Sequence, residues 1–448
     1  ALNIERSKKK IEKKNKKKRK VERANIIGVI GASHSPTIAF AKDTNKQDDP
    51  AWSPIFEGFN VIRDWVQEKK VDVLFMIFND HITSFGFDHY SAFTLGIDDT
   101  YVTADEGGGA RDYPPATGHA ALARHIGQSF VADEFDMSIF QKKPLDHGFF
   151  SPLSMIAPAA SKGWEGTVVP LQVGVLQMPI PNAKRCFKLG QSLRKAVQSF
   201  PEDLNVAIVA TGGLSHQIHG ERCGFTNEAW DQEFLALLAS DPEALTQVRL
   251  AEYAEKGGME GAEVIMWLIM RGALSEQVNN VYETTYLPSM TNIATVIYED
   301  LGDMPKEAEL QAYRDHVHYE LAGIEKIEGT YPFTIETSLT RYRLNNFLRR
   351  LIIPEHRERF ISDLDNLMQE YELTDDEQTL VRDQKWLEMI RYGVIFFVLE
   401  KMAAVLGVSN PQVYAKFRGL SLEDFQKTRK VAMQYSVAGG KKANEMKV

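Results

Sequence analysis

Three stretches of the chain repeat one pattern, in which a run of apolar, largely β-branched residues stops at small or polar residues and is followed by a histidine. Residues 26–36 read IIGVIGASHSP, residues 71–81 VDVLFMIFNDH, and residues 205–216 NVAIVATGGLSH. Short apolar runs bounded by turn residues predict buried strands. In an open α/β sheet, ligands gather beyond the carboxyl ends of such strands. The pattern therefore sets His34, His81 and His216 at one end of a common sheet, converging on a single crevice. Any one of them alone reads as a turn histidine; the threefold recurrence is what points to a site.

The rest of residues 26–302 fits an α/β catalytic domain built on a central sheet. Residues 54–70 carry apolar positions at helical spacing and lead into the second strand, 167–175 read as a further strand, and 183–200 as a helix. The loop 104–115, ADEGGGARDYPP, lacks the Gly-Lys-Ser/Thr of a phosphate cradle and reads as a mobile or tightly turned segment beside the crevice. Residues 257–274, GGMEGAEVIMWLIMRGAL, predict a buried helix that carries Glu260 and Glu263 near its start. Buried carboxylates are costly unless paired or bound to a metal. The helix dipole or Arg271 could serve them, or one could be a metal ligand. Residues three apart share a helix face, so spacing does not choose between the two.

A charged connector follows at 303–330, and 331–448 read as a small all-α domain. The predicted helices are 338–351, 355–370, 375–382, 385–405, 411–416 and 421–433, with Thr374 capping the third and Glu377 completing a capping box. Residues 389–407 are strongly apolar but are interrupted by Arg391, Glu400 and Lys401, too often to span a bilayer. Glu400 reads either as a member of a structural ion pair or as a carboxylate that reaches a polar substrate beside Tyr414 or Tyr435.

Composition narrows the class. Over 448 residues, 44% hydrophobic and 25% charged content describes an ordinary soluble globular protein. Two cysteines, Cys186 and Cys223, are too few for a disulfide framework or a thiolate cage, which implies a cytoplasmic setting and leaves the eleven histidines as the metal-ligand pool. Residues 1–25 hold twelve Lys and Arg against three Glu, so the remaining chain carries a net charge of about −18 within an overall −9. This block reads as a solvated, disordered extension rather than a nucleic-acid or membrane arm, and it stands outside the fold.

Two strand-end histidines with one helix glutamate make a 2-His-1-carboxylate set, which leaves positions open on an octahedral ion and suits non-haem Fe(II) oxygen chemistry. A zinc hydrolase could use the same donors, and a non-catalytic binding protein could share the fold. His147, in LDHG, and His216 are candidates for proton transfer. His89, His119, His125, His219, His316, His318 and His356 fall in polar surroundings and read as surface residues.

In this order along the chain, GASHSP, NDH, ADEGGGARD, LDHG, VPLQVGVLQ, ATGGLSHQIHGER, GGMEGAE and MWLIMRGALS resemble the catalytic β subunit of the type II extradiol dioxygenases, the protocatechuate 4,5-dioxygenase group. TYPFT, RYGVIFFVLEKMAAVLG and YAKFRGLS resemble that group's small α subunit, here joined to the same chain as in its gallate-cleaving members. The resemblance implies Fe(II) held by His34, His81 and Glu263, His216 as the acid-base residue and His147 beside the substrate. It implies that Thr291 holds the substrate carboxylate and that Glu400, Tyr414 and Tyr435 close the pocket, reaching a neighbouring active site in a homodimer. The implied reaction opens gallate with O2 to 4-oxalomesaconate, with protocatechuate as the competing substrate; no nucleic acid or membrane takes part.

Overall fold

A computed structural model of the chain describes residues 23–157 and 165–431. The basic run up to residue 22 and Tyr435 lie outside the described residues. The chain divides into two compact units between residues 320 and 321.

The first unit is built on an eight-stranded mixed sheet of order β6-β3-β7-β2-β8-β1-β10-β9. Its strands are β1 (Asn25–Ala32), β2 (Val73–Phe78), β3 (Phe93–Gly96), β6 (Ser138–Phe140), β7 (Thr167–Val173), β8 (Asn205–Thr211), β9 (Val278–Tyr286) and β10 (Ile293–Asp300). A separate two-stranded pair joins β4 (Thr100–Tyr101) to β5 (Ala116–Thr117). The three histidine-bearing strands are neighbours, and β8 runs parallel to β1 on one side and to β2 on the other. Ala32 pairs with Thr211, and Ile77 pairs with Ala210. The three carboxyl ends therefore finish level with one another.

Each of these strands is buried on both faces, which explains continuous apolar runs in place of alternation. Successive residues of β1 point to opposite sides. Gly28, Ile30 and Ala32 face helix Ser53–Glu68 and its Trp65, while Gly31 lies against Trp267 of helix Ile265–Gly272. Helix His147–Ile156 packs on the Trp65 side, with Phe149 and Leu153 in the same core. Helix Ala183–Ser199 packs against Ile265–Gly272.

The predicted helix over 257–274 is instead three pieces. Helix Leu250–Gly257 stops at Gly258, a tight 3-10 turn runs Glu260–Val264, and the helix resumes as Ile265–Gly272. Gly258 has φ +88°, and a Cβ there would sit 2.2 Å from the His216 carbonyl oxygen. The chain breaks at that point because it passes directly over the loop that carries His216. The predicted connector also contains a helix, Glu307–His318, whose Tyr313 hydroxyl donates to Asp133 at 3.0 Å.

The second unit is helical, around a core that includes Leu344, Phe347, Met368, Trp386, Leu399 and Met402. Thr374 caps helix Asp375–Arg382, and Glu377 accepts in return from the Thr374 amide at 2.9 Å. Several predicted helices are shorter than their apolar spacing implies. The run 385–405 divides into Trp386–Tyr392 and Phe396–Leu406 at Gly393, where φ is +108°. The run 355–370 divides at Asp363, and 338–351 is replaced by Ile335–Thr340, Tyr342–Arg349 and a 3-10 turn. Among the described residues, no helix is long and apolar enough to cross a membrane.

Candidate active site

The level ends of β1, β2 and β8 bring His34, His81 and Glu263 together: one donor atom from each lies within 4.8 Å of the other two. His34 Nδ1 sits 3.0 Å from Thr211 Oγ1, and that hydroxyl donates to the Ile77 carbonyl at 3.0 Å. Because the Thr211 proton is used on the carbonyl, its oxygen accepts from His34 Nδ1–H, which leaves the lone pair on Nε2. His34 Nε2 lies 3.6 Å from Glu263 Oε2. His81 is oriented in the same sense. One oxygen of Asp146 accepts from the His81 amide at 2.7 Å and contacts Nδ1 at 2.8 Å, which leaves the lone pair on Nε2, where the Asn79 side-chain amide lies at 3.4 Å. Burial pushes Asp146 up, but the hydrogen bonds and charge of His81, with His147, hold its carboxyl below the ordinary range. Such a carboxylate behind a histidine fixes tautomer and ring angle, as an outer partner of a metal ligand does.

Glu263 is buried at 5% exposure. Its Oε1 accepts from the Gly213 amide at 2.6 Å and lies 3.9 Å from His216 Nε2. Burial pushes this carboxyl up, yet the neighbouring His34 and His216 and the Gly213 N–H hold it down at about 2. Gly212 makes the approach possible: its φ is +86°, and a Cβ there would meet the Glu263 carboxylate at 2.9 Å. Glu260 points elsewhere. It pairs with His219 and accepts from the Ile218 amide at 3.0 Å, which ties the loop after His216 to the 3-10 turn. Arg271 does not serve either glutamate; it donates to the carbonyls of Leu238, Ser275 and Glu276.

His216 contacts the Leu214 carbonyl through Nδ1 at 2.8 Å, so its Nε2 is the acceptor that faces Glu263. His147 stacks on His81, with ring centroids 4.1 Å apart. Thr291 is half-buried in the turn between β9 and β10, next to the fully buried Asn292. In the helical unit, Glu400 is half-buried and accepts from the Asn410 amide at 2.7 Å, a neutral partner in place of the predicted ion pair. Tyr414 stacks near Phe396, with centroids 5.8 Å apart.

Sequence reasoning missed Thr211, Asp146 and Glu106, whose oxygens contact the ring nitrogens of His34, His81 and His147. Asp146 had a signal in the LDH run, since an Asp before a helix start is a capping residue. Thr211 acts across 177 positions of sequence and had none. Two of the histidines read as surface residues are not so: His356 is buried and bonded to the Phe347 carbonyl at 3.0 Å, and His125 is half-buried, against the Ala196 carbonyl and Ser199.

The oriented imidazoles around one buried carboxylate, at the carboxyl ends of neighbouring parallel strands, form a donor set that could hold a metal ion. Residues 28–298 match the family described as the catalytic LigB subunit of aromatic ring-opening dioxygenase, and residues 344–430 match the LigA subunit of the aromatic-ring-opening dioxygenase LigAB. The chain belongs to the aromatic ring-opening dioxygenases and carries both subunit types in one polypeptide. A gallate dioxygenase of Pseudomonas putida is 59% identical over 336 residues, covering 75% of this chain and 98% of that protein. A 2,3-dihydroxyphenylpropionate/2,3-dihydroxicinnamic acid 1,2-dioxygenase of Dechloromonas aromatica is 24% identical, over 58% of this chain and 72% of that protein. A solved structure of an uncharacterized Escherichia coli K12 protein overlaps 61% of this chain and 99% of its own at 14% identity, with a TM-score of 0.39.

Proposed function

We propose that this chain cleaves gallate with O2 beside the diol, giving 4-oxalomesaconate in aromatic catabolism, with Fe(II) held by His34, His81 and Glu263. The observation that carries the reading is the meeting of these three donors within 4.8 Å, with His216 Nε2 only 3.9 Å from the Glu263 carboxylate. The extent of the gallate dioxygenase match supports the choice of substrate. The donor chemistry fits the metal: two imidazoles with Nδ1 already engaged offer Nε2, and a carboxylate held ionised offers charge. Fe(II) held there would supply the redox partner for O2 and a Lewis acid for the phenolic oxygens.

The chain's own groups do the rest. His216, with Nδ1–H fixed on the Leu214 carbonyl, keeps Nε2 free to take a phenolic proton and to return one during ring opening. His147 faces the substrate from the His81 side. Thr291 binds the gallate carboxylate through its hydroxyl. Glu400, Tyr414 and Tyr435, supplied by the helical domain of a neighbouring copy in a homodimer, bind the hydroxyl side of the ring. A site that hydrogen-bonds the third hydroxyl of gallate discriminates against protocatechuate by leaving polar groups unpaired.

The test is oxygen uptake after anaerobic Fe(II) loading, with gallate and protocatechuate offered separately. Rapid uptake with gallate alone is expected, while equal uptake with both removes the narrow substrate choice. No uptake with either, despite bound iron, overturns the reaction. His216→Ala is expected to keep its iron and lose turnover.

A further inference from the structure

The glycine-rich segment 104–115 is built against the histidine helix at both ends. The Ala104 amide donates to the Leu145 carbonyl at 2.8 Å, and the Leu145 amide donates to Val102 at 2.8 Å. Beyond the glycines, Arg111 donates to the Phe150 carbonyl at 3.2 Å and to Ser154 Oγ at 3.1 Å, both on helix His147–Ile156, and pairs with Asp43. Inside the loop, Asp105 Oδ1 accepts from the amides of Gly107 and Gly109 at 2.8 and 2.9 Å. The result is a tight turn that carries Glu106 onto His147. Glu106 Oε1 lies 2.6 Å from His147 Nδ1, and Oε2 accepts from the His147 backbone amide at 3.0 Å.

We infer that Glu106 is a positioning residue that holds the His147 imidazole in one orientation and one tautomer, with Nδ1–H on the carboxylate and Nε2 presented to substrate. Two contacts from one carboxylate, to the ring and to the same residue's amide, fix the side chain about its own backbone. A carboxylate accepts but cannot donate, so the ring nitrogen facing it carries the hydrogen. The inference rests on the reading of His147 as a substrate-side residue. It gives the glycine-rich motif a role that a phosphate cradle does not.

The experiment compares Glu106→Gln in the wild-type and His147→Asn backgrounds, each loaded with Fe(II). A glutamine amide can accept from Nδ1 or donate to it, so the tautomer is no longer imposed. Glu106→Gln is expected to lower kcat/KM for gallate about tenfold, mostly through kcat, as loss of a charge-assisted contact does. Iron content is expected to stay unchanged. In the His147→Asn background the same change is expected to cost less than about twofold, because its effect runs through the missing ring. An equal loss in both backgrounds makes Glu106 a loop residue only and overturns the inference, as does no loss in the wild-type background. A second readout is independent of turnover: 15N spectra of histidine-labelled, Zn(II)-loaded protein. A single Nδ1–H form of His147 that becomes a mixture in Glu106→Gln supports the inference even if gallate is not the substrate; an unchanged tautomer overturns it even if gallate is turned over.

Discussion

Asp231 offers the sharpest test of how the loops of the proposed active site are held. It lies at 1% exposure in the first turn of helix Glu228–Ser240. Its carboxylate accepts from the Ser215 amide at 2.9 Å, the Ser215 hydroxyl at 2.5 Å and the Asn292 side-chain amide at 2.8 Å. Ser215 immediately precedes His216, and Asn292 immediately follows Thr291. One buried carboxyl thus joins the proposed acid-base loop to the proposed carboxylate-binding turn. Asp231→Ala strands up to three buried donors, each worth about 1–3 kcal/mol, partly offset by release from burying a charge, for a net loss of about 3 kcal/mol. Asp231→Asn keeps the shape and one acceptor; the Asn292 Oδ1 atom, buried without a partner, can turn to accept from the new amide, so the loss is about 1 kcal/mol.

The sign with pH follows from the carboxyl itself. Burial, with Glu228 adding to it, raises Asp231 above its ordinary value despite the Ser215 and Asn292 hydrogen bonds. A carboxyl raised in the folded state contributes stability below its unfolded value and loses it as pH rises through the folded value. The cost of Asp231→Asn is therefore expected to be larger near about pH 4 than near about pH 7. Urea unfolding followed by tryptophan fluorescence at both pH values measures these differences, and oxygen uptake with gallate reports the displacement of His216 and Thr291. A change below about 1 kcal/mol for Asp231→Ala, or a cost of Asp231→Asn that grows with pH, refutes the reasoning.

Glu263→Gln is expected to weaken Fe(II) binding more than about tenfold and Glu260→Gln less than about threefold, as measured by iron retained after desalting. Gly258→Ala meets both a positive φ and the His216 carbonyl 2.2 Å away, so a loss of about 2 kcal/mol or more in urea unfolding, with loss of turnover, is expected. Burial pushes His125 down to about 4, so the folded state resists its protonation and stability falls as pH drops from the unfolded value of about 6.5 toward 4. His125→Gln is expected to flatten that fall by up to roughly 3 kcal/mol, read from urea midpoints across the window.

The sequence by itself determined the parts of the site that depend on local order. Each strand that ends at His34, His81 or His216 is buried on both faces, so its apolar run is continuous and its end is marked by the first polar residues. Parallel neighbours then align those ends. The capping box at Thr374 and Glu377 is equally local and equally legible, because its two partners are three residues apart. What tertiary structure decided was everything that depends on partners distant in sequence. Glu260 and Glu263 are equivalent by spacing, and only the passage of Gly258 over the His216 loop winds the chain into the turn that sends Glu263 inward and Glu260 toward His219. Helices 257–274 and 385–405 read as continuous because apolar periodicity does not register a glycine forced to positive φ by its packing. Thr211 and Glu106 carry no pattern of their own, and the capping signal of Asp146 does not reveal that it contacts His81. Each meets a histidine because folding placed an oxygen against Nδ1, a relation of geometry that residue order does not contain.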